Sequence, residues 1–144
     1  MLVSEILRIK GTTLYTTTPD APVLEAVQVM AQLDIGSLVV MDHGRMAGLV
    51  TFAEVLRALS DRGGALGDVK IGAITERNPL TAAPSIDVME LRRTMLERHA
   101  RYVPVLDGSM LLGVVSFHDV AKAVYEEQSF ENQMLKSYIQ DSPG

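Results

Sequence analysis

Gly48-Leu49-Val50-Thr51-Phe52-Ala53-Glu54-Val55 is matched further along the same chain by Gly113-Val114-Val115-Ser116-Phe117-His118-Asp119-Val120. The offset that lays Gly48 on Gly113 also pairs, without a gap, Pro19 with Pro84, Glu25 with Glu90, Met30 with Met95, Val40 with Val105, Asp42 with Asp107 and Ala58 with Ala123. Self-similarity at a fixed offset marks a duplicated unit. Upstream, the offset joins Ile6 to Ile71 and Ile9 to Ile74, so each copy is expected to carry its own short apolar lead-in. Residues 1–62 read as the first copy and 68–126 as the second. The glycine-dense segment 63–67 reads as a linker, and 127–144 as an amphipathic helical extension and tail.

Within the first copy, Thr13 to Thr17 predicts a short strand. Asp20-Ala21-Pro22 opens a helix in which the proline can occupy the first turn, and Val23, Ala26, Val27, Met30 and Leu33 recur at helical spacing. Ser37 to Met41 and Met46 to Val50 flank the polar turn Asp42-His43-Gly44-Arg45 and predict a hairpin. A second helix follows from Phe52 to Leu59. The second copy repeats the order: a strand near Leu80 to Ala82, a helix from Ile86 to about Glu97, strands at Tyr102 to Leu106 and Met110 to Val115, and a longer helix from Phe117. Its late apolar positions, Phe130, Met134, Leu135, Tyr138 and Ile139, form a stripe.

A unit of about 60 residues buries only about 60% of its extended-chain surface and is marginal alone. The predicted fold is therefore α+β: two β-α-β-β-α repeats related by a pseudo-twofold axis, their sheets packed together and helices outside. Such packing creates two equivalent clefts.

Composition narrows the partners. The chain has 144 residues, 47% of them hydrophobic, which points to apolar surface shared with a second copy. The net charge of −5 and the lack of a long Lys/Arg run argue against duplex nucleic acid. With no cysteine, thiolate metal sites and CxxC redox motifs are excluded. No apolar stretch is long enough to span a bilayer and no signal-peptide pattern opens the chain, so a soluble cytoplasmic protein is expected.

The repeated octapeptide sits where a strand ends and a helix begins. Thr51 and Ser116 place a hydroxyl beside the unpaired amides of a first helical turn, where an anion is favoured. Three residues on, Glu54 and Asp119 offer a carboxylate able to accept from the two hydroxyls of a ribose. The same pattern is also a capping box that needs no ligand. Gly48 and Gly113 permit close approach of a backbone or a ligand.

At these residues the sequence resembles the cystathionine-β-synthase (CBS) domain family, whose pattern is Gly-h-h-[Thr/Ser]-x-x-[Asp/Asn] at a strand-to-helix junction, h being apolar. The likeness extends over nearly the whole chain, including 34–40 and 98–107. It implies a tandem pair, or Bateman module, that binds AMP, ATP, NAD(H) or S-adenosylmethionine and often forms a homodimer. Carried over, it implies that Ser116 and Asp119 hold phosphate and ribose, Arg101 approaches phosphate, and Thr81, Tyr102 and Val103 flank the base. A second, weaker site would use Thr16, Leu38, Thr51 and Glu54, the longer acid at Glu54 replacing the family's Asp or Asn. Phe52 and Phe117 stand where many relatives carry an arginine. The tail from Ser129 to Ile139 is similar to that of small stand-alone bacterial members, which favours AMP or NAD(H). The implied function is an adenine-nucleotide sensor acting on an unidentified target protein; the alternative is a ligand-free scaffold with vestigial clefts.

Other chemistry finds little support. His43, His99 and His118 lack metal-ligand spacing. His118 and Asp119 are adjacent on a helix and point in different directions, so Ser116 gains no relay and no enzyme is expected. Arg92, Arg93, Glu97, Arg98 and Arg101 read as a solvated helix face from which Arg101 is the candidate to reach a phosphate.

Overall fold

The computed structural model describes residues 1–11 and 13–141, so the last three residues of the expected tail lie outside the described residues. The elements run α1 (Val3–Lys10), β1 (Thr16–Thr17), α2 (Val23–Leu33), β2 (Ser37–Asp42), β3 (Arg45–Thr51), α3 (Phe52–Asp61), α4 (Ile71–Ile74), α5 (Val88–Arg98), β4 (Tyr102–Asp107), β5 (Met110–Ser116) and α6 (Phe117–Asp141). The duplication is visible in detail. In α2 the buried residues are Val23, Ala26 and Met30, and in α5 they are Val88, Leu91 and Met95. Both helices end on a residue in the left-handed region, Asp34 and His99. Both hairpins carry a register irregularity at the same place, after Val40 and after Val105.

Two helix starts differ from expectation, and the first strand, expected over 13–17, is only Thr16–Thr17. Pro22 is the N-cap of α2 rather than a first-turn residue, and Asp87 caps α5 by accepting from the Met89 amide at 3.0 Å. The strand expected near Leu80 to Ala82 shrinks to a single parallel bridge between Ala82 and Val105. In the first half, β1 pairs in parallel with β2, and the Val39 amide donates to Tyr15 O at 3.1 Å. The corresponding residue in the second half is Pro104, which has no N–H to give, so the ladder loses that rung.

The lead-ins are exchanged. The α1 segment packs Val3, Ile6 and Leu7 into the core of the second half, among Val88, Leu91, Met95, Val103 and Val120. Its backbone is tied there by Val3 N donating to Ile86 O (2.9 Å) and Val88 N donating to Met1 O (2.8 Å). Reciprocally, Val69 and Ile71 complete the first core, with Val23 N donating to Val69 O and Ile71 N to Ala21 O. Each buried aliphatic side chain stabilises by about 1.5–3 kcal/mol, and every one of these joins the two halves. The repeated glycines belong to this exchange. A Cβ at Gly48 would collide with the Glu76 carbonyl, whose strand-like pairing with Leu49 holds the end of the second lead-in, and a Cβ at Gly113 would meet Leu7.

Between the halves a third cluster joins the sheets, built on Val39, Leu49 and Leu111 with Met41, Met46, Tyr102, Leu106 and Val114 against them. Helix α6 buries Val120, Ala123 and Val124 and then continues outward, its later residues Phe130, Met134, Leu135, Tyr138 and Ile139 exposed.

Candidate functional site

The sheet–sheet seam opens into two clefts, each assembled from both halves. The first, of about 540 Å³, takes Ser116, Phe117 and His118 from the start of α6. It is completed by Lys10 at the end of α1, by Thr13 to Tyr15 before β1, by Asp34 to Ser37 at the entry to β2, and by Arg101 and Tyr102. The second, of about 700 Å³, takes Thr51 to Glu54 from the start of α3, faced by Glu76, Asn78 to Leu80, and Arg98 to Tyr102. Both volumes fall in the range of roughly 300–1,000 Å³ common for small-molecule sites. The helix entrance of one half thus faces the strand approaches of the other.

This grouping differs from the one carried over from the family pattern. Ser116, Arg101 and Tyr102 line the first cleft, and Thr51 and Glu54 line the second. Val103 is 0% exposed inside the second core and Leu38 is 2% exposed inside the first, so neither presents surface to a base. Thr81 and Thr16 are exposed but line neither cleft. Tyr15, Ile35 and Ser37 occupy the wall of the first cleft where Thr81 and Val103 of the second half were expected, and Leu80 of the second half lines the second cleft where Thr16 and Leu38 of the first were expected. Lys10 carried no motif. The one signal for these residues was the lead-in itself, since a segment placed before a strand must lie against some core.

Both hydroxyl-plus-acid pairs are closed as reciprocal caps. The Ser116 amide donates to Asp119 Oδ2 at 2.9 Å, and the Asp119 amide donates to Ser116 Oγ at 3.0 Å. Glu54 Oε1 accepts from the Thr51 amide at 2.8 Å and from the Thr51 hydroxyl at 2.9 Å. The extra methylene of Glu54 is taken up in reaching back to its own cap. The Phe117 amide donates to Arg101 O at 2.8 Å, so the first turn of α6 is less open to an anion than its sequence implies.

Asp119 has a further partner. Lys10 Nζ donates to its Oδ2 at 2.7 Å and to Val114 O at 2.9 Å. Burial pushes the Asp119 carboxyl up, but the Lys10 hydrogen bond, the Ser116 amide and the Lys10 charge together hold it below the ordinary carboxylate value. Asp119 itself is not on the lining of the first cleft; Lys10 is.

Arg101 and Tyr102 line both clefts, whereas their counterparts in the first half are Gly36 and Ser37. A Cβ at Gly36 would collide with the Tyr102 hydroxyl, so the absence of a side chain there is what admits the tyrosine ring to the seam. His118 lines the first cleft and His99 the second, while His43 sits in an exposed hairpin turn beside Asp42. Among the described residues no group of three candidate metal ligands gathers, and no helix is long and apolar enough to cross a membrane.

Two half-units with exchanged lead-ins, packed through their sheets around paired clefts, define a tandem module, and comparison with known proteins agrees. The CBS domain family model matches residues 3–61 and 71–126. The chain therefore belongs to the CBS domain family. It is 34% identical over 148 aligned positions to the mitochondrial CBS domain-containing protein CBSX3 of Arabidopsis thaliana, covering 96% of this chain and 71% of that one. The crystal structure of the CBS-domain containing protein ATU1752 from Agrobacterium tumefaciens superposes with a TM-score of 0.81 at 27% identity, covering 85% of this chain and 98% of that one. The CBS domain pair of protein MJ0100, solved in complex with 5′-methylthioadenosine and S-adenosyl-L-methionine, superposes with a TM-score of 0.76 at 25% identity, covering 86% and 99%.

Proposed function

We infer that this module is an adenine-nucleotide sensor whose principal site is the cleft at Ser116, with AMP or NAD(H) as ligand in preference to ATP or S-adenosylmethionine. The observation that carries this reading is the position of the two helix entrances: Ser116 lines one cleft of nucleoside size built from both halves, with Asp119 directly behind it, and Thr51 and Glu54 line the other. Support comes also from the MJ0100 pair, whose ligands share an adenosyl group. In the first cleft Lys10 and Arg101 supply positive charge for phosphate, and the apolar wall of Leu14, Tyr15 and Ile35 supplies surface for a base. A ligand spanning both halves changes their relative orientation only by its difference in affinity for the two arrangements. The output is altered contact with a second copy or with a target protein. Calorimetry with AMP, ATP, NAD and NADH on nucleotide-free protein tests this: heat with AMP or NAD(H) is expected, and silence with all four up to about 1 mM removes the sensor reading.

One observation favours a second reading, a scaffold without ligand. Ser116–Asp119 and Thr51–Glu54 are satisfied as caps by their own helices. Mass spectrometry of small molecules released by denaturing the purified protein separates the two, since a scaffold releases no nucleotide.

A further inference from the structure

The two clefts differ at one position in a way that bears on what each admits, and this rests on the nucleotide reading above. At the end of α1, Lys10 places its ammonium on the wall of the first cleft, 2.7 Å from the acid expected to take a ribose. Its counterpart in the second lead-in is Thr75, whose hydroxyl donates back to Ile71 O at 2.7 Å within its own short helix. Glu54 in the second cleft has no such cation beside it and accepts from Thr51 alone among the described residues. The geometry points to Lys10 as a specificity-determining counter-ion that makes the first cleft select phosphorylated nucleosides over neutral ones.

The reason is electrostatic. Lys10 and Asp119 are partly solvent-exposed, at 43% and 21%. Lys10 and the Ser116 amide both bond Asp119 through Oδ2, so a ribose diol reaching this acid finds Oδ1 without a partner among the described residues and leaves the ammonium in place. With a neutral nucleoside, Lys10 keeps Asp119 and Val114 O and gains nothing from the ligand. A 5′-phosphate near Ser116 adds an anion within reach of the ammonium. An ammonium has three N–H donors; two go to Asp119 and Val114 O, and the third, on a flexible four-carbon stem, is left for the phosphate. A cationic sulfonium ligand meets Lys10 and Arg101 as like charges and is disfavoured. The second lead-in has Thr75 in place of this lysine, and the positive charge of the second cleft comes from Arg98 and Arg101 instead.

The test is calorimetry with two probes, AMP and adenosine, on the wild type and on Lys10→Gln and Lys10→Arg proteins. In Lys10→Gln the preference for AMP over adenosine is expected to fall about tenfold or more, through weaker AMP binding with adenosine unchanged or tighter, and Lys10→Arg is expected to retain it. A side-chain nitrogen NMR signal from Lys10 that shifts with AMP and stays put with adenosine ties the effect to this cleft. An unchanged preference in Lys10→Gln, or AMP and adenosine weakening together, overturns the assignment. Wild-type protein that binds neither probe is a different result, because it takes down the nucleotide reading itself.

Discussion

Asp119 performs two tasks with one carboxylate: it caps α6 through the Ser116 amide and neutralises Lys10 from α1. Asp119→Ala is therefore expected to cost about 0.5–2 kcal/mol of stability through the lost cap, readable by urea denaturation. It is expected to weaken AMP binding by about 1.5–3 kcal/mol, the range for a hydrogen bond to a charged group. Glu54→Ala is expected to affect binding less, and the reverse order in calorimetry would contradict the choice of the Ser116 cleft as principal site. The pH dependence follows from the depressed carboxyl. Because the folded protein holds Asp119 more acidic than the unfolded chain does, its contribution to stability is full above the ordinary carboxylate value of about 3.9 and is lost as pH falls through the lower folded value. Denaturation midpoints followed from pH 6 downward should show a smaller acid-side loss in Lys10→Gln than in the wild type. The hydroxyl-and-acid pairs were legible in the sequence because a helix entrance is a local event, fixed by spacing within four residues. Lys10 was not, because its partner lies 109 positions away and no periodicity announces an ion pair.

At the scale of elements, the two lead-ins show where sequence reading reaches its limit. Ile6 with Ile71 identified them as equivalent, yet equivalence under an offset says nothing about which copy's core each one enters. The chain crosses: α1 fills the second half and α4 the first. Gly48 and Gly113 reflect that crossing, and they should respond unequally to substitution. In Gly48→Ala the new methyl meets the backbone carbonyl of Glu76, which accepts from the Leu49 amide while the Glu76 amide donates to Leu49 O. In Gly113→Ala it meets the far end of the Leu7 side chain, which can change rotamer. Gly48→Ala is expected to destabilise by about 2–3 kcal/mol and Gly113→Ala by about 1 kcal/mol, measured by chemical denaturation; equal costs would show that the Glu76 segment moves aside freely. The shortened strand at Ala82 belongs to the same scale. The repeated element order predicted it, and the missing N–H of Pro104 cut it to a single bridge.

For the whole molecule, the exchange makes the two copies mutually dependent. Cutting the chain in the 63–67 linker leaves each fragment holding the other's lead-in and lacking its own. Neither fragment alone is expected to show a cooperative unfolding transition by circular dichroism, and mixing the two is expected to restore one; independent cooperative folding of either fragment would contradict the exchange. The overall architecture was legible because duplication and hairpin patterning survive in a single sequence. The grouping of site residues was not, because each cleft is drawn from both halves: Ser116 is faced by Tyr15 and Ile35 rather than by Thr81 and Val103. Under the proposed sensor function, this composite construction is what would let a bound ligand report on the relative position of the halves. Its most direct test is a crystal structure of the protein grown with AMP. The phosphate is expected beside Ser116 and Lys10, with the adenine against the first-half segments 13–15 and 34–37. Adenine seated against the second half's own residues 79–82, or AMP bound away from the seam altogether, would contradict it.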